Sequence, residues 1–310
     1  MRQYMQAQTK NPPYNQTLTE IEKELKKAYL NLNPHNYLSV SRLKNSMYCP
    51  NYARYILEGH RPARIETPES QEGTRIHQTL DTTPKEEAPP EEAALINSLN
   101  LINAALTKET PTLTELPYFS PTRPIWGIPD LITINNGKIQ ITERKTRTRL
   151  YGEEGLPHVF TDDIYQLHIQ KKLISDILAA AASYTQIDVV DPSYITTAVE
   201  IRLRGENPEN NSPQPVKEMQ ESEIGLTDNY GGESTATIRF GNSVENVLTV
   251  YADVDADSVS QRFDKTCEAL LSNGKIDGRC LRCPQAKQRY CGFNVICRKR
   301  RSNPTLNDFL

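Results

Sequence analysis

The order of helix-like and strand-like segments along the chain predicts a mixed α/β fold. Apolar residues recur with helical spacing over residues 17–32, and further helices are predicted at residues 70–80, 93–106, 161–184 and 255–272. Runs rich in β-branched residues predict strands at residues 125–134, 138–145, 195–203, 235–240 and 247–254. Because helices and strands are interleaved, we expect a sheet flanked by helices around one core.

Capping and turn residues mark where several of these elements begin. Ser39 or Ser41 can cap a short helix, since a hydroxyl oxygen accepts from a free backbone N–H of the first turn. Asn136-Gly137 separates two strand-like runs and is typical of a tight hairpin turn, whose central residues need positive φ. Thr161 is a candidate cap for the longest predicted helix.

The chain is predicted to form a single domain over residues 1–310, with two polar interruptions. A stretch rich in Pro and Glu at residues 83–92 indicates a linker. A second polar stretch at residues 205–233 indicates an excursion from the core. The four parts of interest are an N-terminal helical part (36–82), a central core (110–204), this excursion (205–233) and a cysteine-rich end (275–301).

Composition and charge restrict the class of protein. The formal net charge is −3 at pH 7, with 37% hydrophobic and 24% charged residues. This balance counts against a histone-like binder, whose affinity comes mainly from neutralised phosphates. No apolar run approaches the ~20 residues that span a bilayer, and the first ten residues lack the apolar core of a signal peptide. We therefore expect an intracellular, cytoplasmic protein with no membrane partner.

The cysteines indicate a metal centre. Four of the six lie close together near the end of the chain, at Cys280, Cys283, Cys291 and Cys297. Disulfides are rare in a reducing compartment, and Cys280-Leu281-Arg282-Cys283 has the spacing of a metal-binding turn. A zinc site made by these four residues is one interpretation. Cys267, inside a predicted amphipathic helix, is expected to be an ordinary buried thiol.

Charged residues interrupt an otherwise apolar strand face in the centre of the chain. Side chains alternate along a strand, so Ile139, Ile141, Glu143 and Lys145 point the same way. Asp130 lies across the predicted hairpin from Glu143. Two carboxylates beside a lysine suit Mg²⁺ or Mn²⁺, because hard cations bind oxygen ligands and polarise a phosphoryl oxygen. The lysine can orient the attacking water and offset charge developing on the phosphate.

Several further motifs accompany this set in a fixed order. They are Gly73-Thr74-Arg75-Ile76-His77, Pro129-Asp130, Glu143-Arg144-Lys145 and Tyr165-Gln166-Leu167-His168-Ile169-Gln170. Together they resemble the RecB-like branch of the PD-(D/E)XK nuclease superfamily, which includes CRISPR adaptation nucleases and exonuclease V. Gln170 stands where that family usually has Tyr. The likeness covers about residues 39–170 and the cysteine-rich end.

The resemblance implies a restriction-endonuclease-like fold and a role for each motif residue. Asp130 and Glu143 would bind Mg²⁺ or Mn²⁺, with His77 as a further ligand. Lys145 would position the nucleophilic water, and Gln166 would orient the substrate. The expected activity is phosphodiester hydrolysis of DNA, most consistent with a single-stranded DNA exonuclease in repair, recombination or CRISPR-type processing. The implied partners are DNA and either a second copy of the chain or a DNA-processing complex, in the cytoplasm, nucleoid or nucleus.

The same resemblance implies a [4Fe–4S] cluster that joins the two ends of the domain. Cys49, in Tyr48-Cys49-Pro50, resembles the single N-terminal ligand of iron–sulfur nucleases in this family. Cys280 and Cys283 would supply two more ligands, and Cys291 or Cys297 the fourth. The late spacing departs from the usual Cys-x2-Cys-x5-Cys, and both candidates for the fourth position remain open.

Other interpretations follow from the same residues. Relatives in the superfamily can keep the cluster and lose the chemistry, so a non-catalytic DNA-binding scaffold subunit is the main alternative. His168 has no motif support, and we expect it to be structural. Arg144, Arg147 and Arg149 flank the central strand as candidate phosphate contacts, whereas the basic run at residues 298–301 is expected to be solvated.

Overall fold

The fold is described from a computed structural model, which defines residues 12–30, 37–63, 71, 90–152, 155–185, 194–204, 219–227, 233–241, 243, 247–254, 256–272, 274 and 293. Its helices are α1 (Pro12–Leu30), α2 (Val40–Tyr48), α3 (Pro50–Leu57), α4 (Pro90–Thr107), α5 (Thr161–Thr185) and α6 (Ala256–Ser272). Its strands are β1 (Leu38–Ser39), β2 (Thr112–Thr114), β3 (Tyr118–Phe119), β4 (Ile125–Gly127), β5 (Leu131–Asn135), β6 (Lys138–Arg147), β7 (Ile195–Leu203), β8 (Gln220–Thr227), β9 (Glu233–Phe240) and β10 (Val247–Val254). None of these helices combines the length and the apolarity that crossing a bilayer requires.

The main sheet has seven strands in the order β2-β5-β6-β7-β10-β9-β8. Strands β6 and β7 are parallel, and the other neighbours are antiparallel. A parallel pair needs a crossover connection, and α5 lies in the segment that joins these two strands. The predicted mixed α/β fold, a large mixed sheet flanked by helices, is therefore confirmed.

The hairpin between β5 and β6 has the predicted turn. Asn136 and Gly137 both adopt positive φ, at 51° and 78°, as a primed two-residue turn requires. The turn sets the register, in which Asn135 pairs with Lys138 and Leu131 with Thr142. This register brings the start of β5 alongside the middle of β6, next to Glu143.

The strand predicted over residues 125–134 is wrong in one respect, because it is broken after Gly127. Residues 125–127 form β4 in a separate three-stranded sheet with the order β1-β4-β3, and the main sheet resumes at Leu131. Pro129 explains the break, since it has no N–H to donate to a central strand. Asp130 consequently lies immediately before β5 and not within a strand.

The buried face of β6 packs against α5 and forms part of the apolar core. Ile139 and Ile141 are fully buried, and so are Leu173 and Ile177 on α5, the helix that packs against β6 and β7. Helix α2 packs on the same helix. Its N-cap is Ser39, one of the two predicted caps, whose hydroxyl accepts from the Arg42 N–H at 3.2 Å.

The polar segment at residues 205–233 differs from the prediction of an excursion. Residues 220–227 form β8, an edge strand paired along its whole length with β9. Along this strand the exposed Glu221 and Glu223 alternate with less exposed residues, and charged side chains are characteristic of an edge strand. Three predicted segments lie almost entirely outside the described residues. They are the helix at 70–80, the linker at 83–92 and the cysteine-rich end at 275–301. Within them the structure describes only Gln71, the start of α4 and Phe293.

Candidate active site

Glu143 and Lys145 lie side by side on the buried face of β6, two residues beyond the apolar pair. The Lys145 Nζ donates to Glu143 Oε1 at 2.6 Å. Only 4% of the Glu143 side chain and 18% of the Lys145 side chain are exposed. The alternation of the strand thus places an ion pair where the core ends, as the sequence predicts.

Two glutamines from α5 complete the surroundings of the Glu143 carboxylate. The Gln166 Nε2 donates to Glu143 Oε1, and the Gln170 Nε2 donates to Glu143 Oε2 at 2.9 Å. Residues four apart share one face of a helix, so both amides point at the strand. Gln170 is 1% exposed and has a role the sequence did not reveal, as a donor to the central carboxylate.

A second lysine reaches the same group of side chains from α2. The Lys44 Nζ donates to Gln166 Oε1 at 3.1 Å, and the Lys145 Nζ lies 3.4 Å from the same oxygen. The Gln166 amide therefore connects two ammonium groups with Glu143. Burial, and then repulsion from Lys145, lowers the pKa of Lys44.

Asp163 closes the group at the N-terminal end of α5. Its carboxylate accepts from the Arg147 Nη2 at 2.8 Å and from the Phe160 N–H at 3.0 Å. The Asp163 Oδ1 lies 3.9 Å from the Lys145 Nζ. A buried acid thus caps the first turn of the helix and faces two cations.

Asp130 approaches from the break before β5. Its Oδ2 accepts from the backbone N–H of Arg144 at 2.7 Å, next to Glu143 on the neighbouring strand. Attraction to Asp130 is also among the causes that raise the pKa of Lys145. The structure therefore brings Glu143, Lys145 and Gln166 into direct contact, with Asp130 bound to the backbone of the next residue, Arg144.

The ion pair remains charged in spite of its burial. Burial alone would raise the pKa of Glu143, but attraction to Lys145 and hydrogen bonds from Lys145 and Gln170 hold it below its ordinary value. Burial would likewise lower the pKa of Lys145, and attraction to Glu143 and Asp163 instead raises it. Both groups are ionised at neutral pH, so the site presents a carboxylate and an ammonium to its surroundings.

The arginines of the central strand have different surroundings. Arg144 points to the opposite face of the sheet, where its Nε lies 3.5 Å from Glu200 Oε1. That orientation argues against the predicted phosphate contact for Arg144, because the carboxylates lie on the other face. Arg147 remains beside the site through Asp163, and Arg149 is exposed.

The donor set of the site fits a divalent cation in part. Asp130 and Glu143 supply hard carboxylate oxygens, and Mg²⁺ often takes only one or two carboxylates together with water and phosphate. Across the described ranges, no group of three or more His, Cys, Asp or Glu residues is arranged to hold a metal ion. His77, the predicted third ligand, lies outside those ranges.

The predicted cluster ligands are described only at Cys49. This residue is partly exposed and lies at the junction where α2 ends and α3 begins. Phe293, two residues after Cys291 in the sequence, packs its ring against Tyr52 and Tyr55 of α3, with centroids 5.0 and 5.3 Å apart. Cys280, Cys283, Cys291 and Cys297 themselves are outside the described residues. Cys267 is buried, and burial raises its pKa to about 11.

Three residues of the site were not found from the sequence: Lys44, Asp163 and Gln170. Helical spacing from Gln166 could have indicated Gln170, since a residue four positions later shares the same face. In the sequence, Asp163 is recognisable only as an acid in the first turn of a predicted helix, where it suits the helix dipole. No local signal exists for Lys44, which meets Gln166 across 122 positions of sequence.

Comparison of the sequence with protein-family models and with curated proteins identifies no relative. No protein-family model matches the sequence, and no curated protein is detectably similar to it.

We expect the protein to lose stability in mild acid because His168 is buried. The residue is buried next to Phe263, and burial, followed by repulsion from Lys172 and Lys171, lowers its pKa to about 4. In the unfolded chain this histidine binds a proton below about pH 6.5. In the folded chain it binds that proton only when the pH falls to about 4. Stability should therefore be complete above about pH 6.5 and fall by up to about 3 kcal/mol as the pH approaches 4.

Urea unfolding of wild type and His168→Leu at neutral and acidic pH tests this expectation. The variant should lose less stability than wild type on acidification, because its side chain has no proton to bind. His60→Gln, which changes an exposed histidine, should keep the wild-type pH dependence. The assignment fails if His168→Leu is as sensitive to acid as wild type.

Proposed function

We propose that this protein is a metal-dependent nuclease of the RecB-like PD-(D/E)XK type that hydrolyses phosphodiester bonds of DNA. The observation that carries the proposal is the buried pair on β6, in which Lys145 Nζ lies 2.6 Å from Glu143 Oε1 on an otherwise apolar face. Asp130 adds a second carboxylate at the adjacent strand break. Burying a charged group costs free energy. The buried Glu143 and Lys145, with Asp130 close by, therefore suit a site that binds a phosphate and a cation.

Each residue has a chemical role in this proposal. Asp130 and Glu143 would hold Mg²⁺ or Mn²⁺, and the cation would polarise the phosphoryl oxygen and acidify a bound water. Lys145 would orient that water and offset the charge that develops on the phosphate. Gln166 keeps Glu143 and Lys145 in register, because its amide donates to the carboxylate and accepts from the ammonium. His77 would complete the cation site.

A structural [4Fe–4S] cluster is the second part of the proposal. Cys49 is partly exposed at the start of α3, and Phe293 of the cysteine-rich end packs on the first turns of that helix. This packing supports a link between the two ends of the chain. Cys280 and Cys283, with Cys291 or Cys297, would be the other ligands, and the cluster would hold the domain together without taking part in the chemistry.

The preferred substrate in this proposal is single-stranded DNA cut from an end. The resemblance favours exonuclease activity in repair, recombination or CRISPR-type DNA processing. Either a second copy of the chain or a DNA-processing complex would be the protein partner.

An end-labelled single-stranded DNA assay with Mn²⁺ tests the nuclease activity. Wild type should shorten the label, and Glu143→Gln should be slower by at least about 10²-fold, because one carboxylate and its charge are lost. Glu223→Gln removes an exposed carboxylate on the edge strand β8 and should cut like wild type. Iron content and visible absorbance of the same anaerobic samples test the cluster separately. A folded Glu143→Gln protein with full activity would refute the site.

A non-catalytic DNA-binding scaffold is the second candidate, and one observation favours it. The buried carboxylates already have cationic partners without any ligand, since Lys145 contacts Glu143 and Asp163, and Arg147 contacts Asp163. Such a group is stable as a structural network. An iron-containing wild type that binds DNA in Mn²⁺ and leaves the label intact would establish this function instead.

A further inference from the structure

The connection between β6 and α5 presents aromatic and basic side chains next to the ion pair. It folds back on itself, with a bridge between Tyr151 and Pro157 and a hydrogen bond of 2.8 Å from the His158 N–H to the Leu150 carbonyl. This fold returns His158 to the end of β6. The last residue of the connection is Phe160, directly before α5.

Phe160 is a large apolar side chain held at the surface by polar contacts. The residue is 39% exposed. The Arg147 guanidinium lies 4.5 Å from its ring centroid, and the His158 ring packs against it at 4.7 Å. Arg147 is in turn fixed by Asp163, which also accepts from the Phe160 backbone N–H. Both the ring and its cation are thus positioned before any ligand arrives.

The position of this group relative to the ion pair is also defined. The same Asp163 carboxylate lies 3.9 Å from the Lys145 Nζ through one oxygen and contacts Arg147 and Phe160 through the other. Arg149, two residues beyond β6, is exposed, and its charge is among the causes that lower the pKa of His158. A ring, a guanidinium group and a lysine therefore lie around Asp163 at the start of α5.

We propose that Phe160, with Arg147 behind it, is a base-stacking subsite for single-stranded DNA, an inference that rests on the proposed nuclease function. Aromatic rings stack on any nucleobase and so bind single strands without sequence preference. A guanidinium against the ring adds a cation–π contribution, and an exposed arginine offers a contact to the phosphate. Stacking requires an unpaired base, so the subsite selects single strands over duplex at the point of cleavage.

Fluorescence anisotropy with a labelled oligothymidylate, in the presence of EDTA, measures this subsite without cleavage. The same oligonucleotide with abasic residues is the comparison ligand. Wild type should bind the base-bearing strand tighter than the abasic one, and Phe160→Ala should weaken binding of the base-bearing strand about 5- to 20-fold. Binding of the abasic strand should be unchanged in Phe160→Ala. Phe160→Trp should restore the preference for bases, and Phe160→Leu should not, because leucine fills space but has no π face.

Tyr194→Ala is the matched control, because it removes another exposed aromatic residue. Tyr194 precedes β7 at the end where Ile195 pairs with Ile139, away from Lys145. It should bind both strands like wild type. Equal losses on both strands in Phe160→Ala, or no loss on either, would overturn the subsite. If wild type still cleaves in Mn²⁺ after that result, the nuclease stands without the subsite. If wild type neither binds nor cleaves single-stranded DNA, both proposals fail.

Discussion

Lys145→Met is expected to lower Mn²⁺-dependent DNA cleavage by about 10³-fold, because the charge next to the attacked phosphate is lost. The same change should lower the free energy of unfolding by about 3 kcal/mol, since it leaves a buried carboxylate without its counter-ion. The Lys145 side chain is 18% exposed, which places this loss at the lower end of the range for buried pairs. Lys138→Met, an exposed lysine at the start of β6, should change neither quantity. Cleavage rates and urea unfolding on the same samples measure both effects.

A double variant separates the lost chemistry from the lost stability. Glu143→Gln combined with Lys145→Met removes both charges and should return the stability to within about 1 kcal/mol of wild type. Gln170 can follow this change, because its Oε1 is buried without a hydrogen-bond partner and the amide can turn to accept from the new glutamine. Cleavage should stay as low as in the single variant. A double variant whose loss of stability equals the sum of the losses in the two single variants would show that the two residues are not energetically coupled.

The parts of the fold that local patterns determine were predicted well. The hairpin is an example, because Asn136-Gly137 tolerates positive φ and thereby sets the register of β5 on β6. The face of β6 follows from the two-residue period of a strand, which placed Glu143 and Lys145 together. Period and turn chemistry are local, so these features could be derived from one stretch of sequence.

The parts that depend on distant contacts were not predictable in the same way. Strand β4 belongs to a small sheet with β1 and β3. As far as Pro129, its sequence does not differ from that of a strand that continues into β5. Strand β8 looked like a polar excursion, because an edge strand exposes charged residues that hide its pairing with β9. In both cases the partner strand, and not the local sequence, decides the outcome.

The same distinction applies within the candidate site. Glu143 and Lys145 could be predicted because they share one strand, and Asp130 because it directly precedes the strand paired with it. Lys44 could not, since only the packing of α2 on α5 brings it to Gln166. Asp163 was visible as an acid in a first helical turn, but its three contacts depend on where β6 ends. A motif therefore indicates which residues carry the chemistry, and packing decides which residues hold them in place.

Asp163→Ala is expected to lower the free energy of unfolding by about 3 to 4 kcal/mol, the largest stability effect of any single change in the site. The variant loses a buried acceptor for the Phe160 N–H and leaves Arg147 and Lys145 facing each other. Urea unfolding at neutral pH measures the loss.

Asp163→Asn distinguishes the two contributions to this effect. Its amide oxygen can still accept from the Phe160 N–H and preserve the helix cap, so about 1 kcal/mol of the loss should be recovered. The remaining loss is electrostatic, because the uncharged amide would not neutralise the charges of Lys145 and Arg147 as the Asp163 carboxylate does. Glu92→Ala, which removes an exposed acid from the first turn of α4, should cost no more than about 1 kcal/mol, the usual contribution of an acid at a helix N-terminus. If Glu92→Ala and Asp163→Ala are equally destabilising, the helix dipole explains both, and Asp163 does not join the ion pair to the Phe160 subsite.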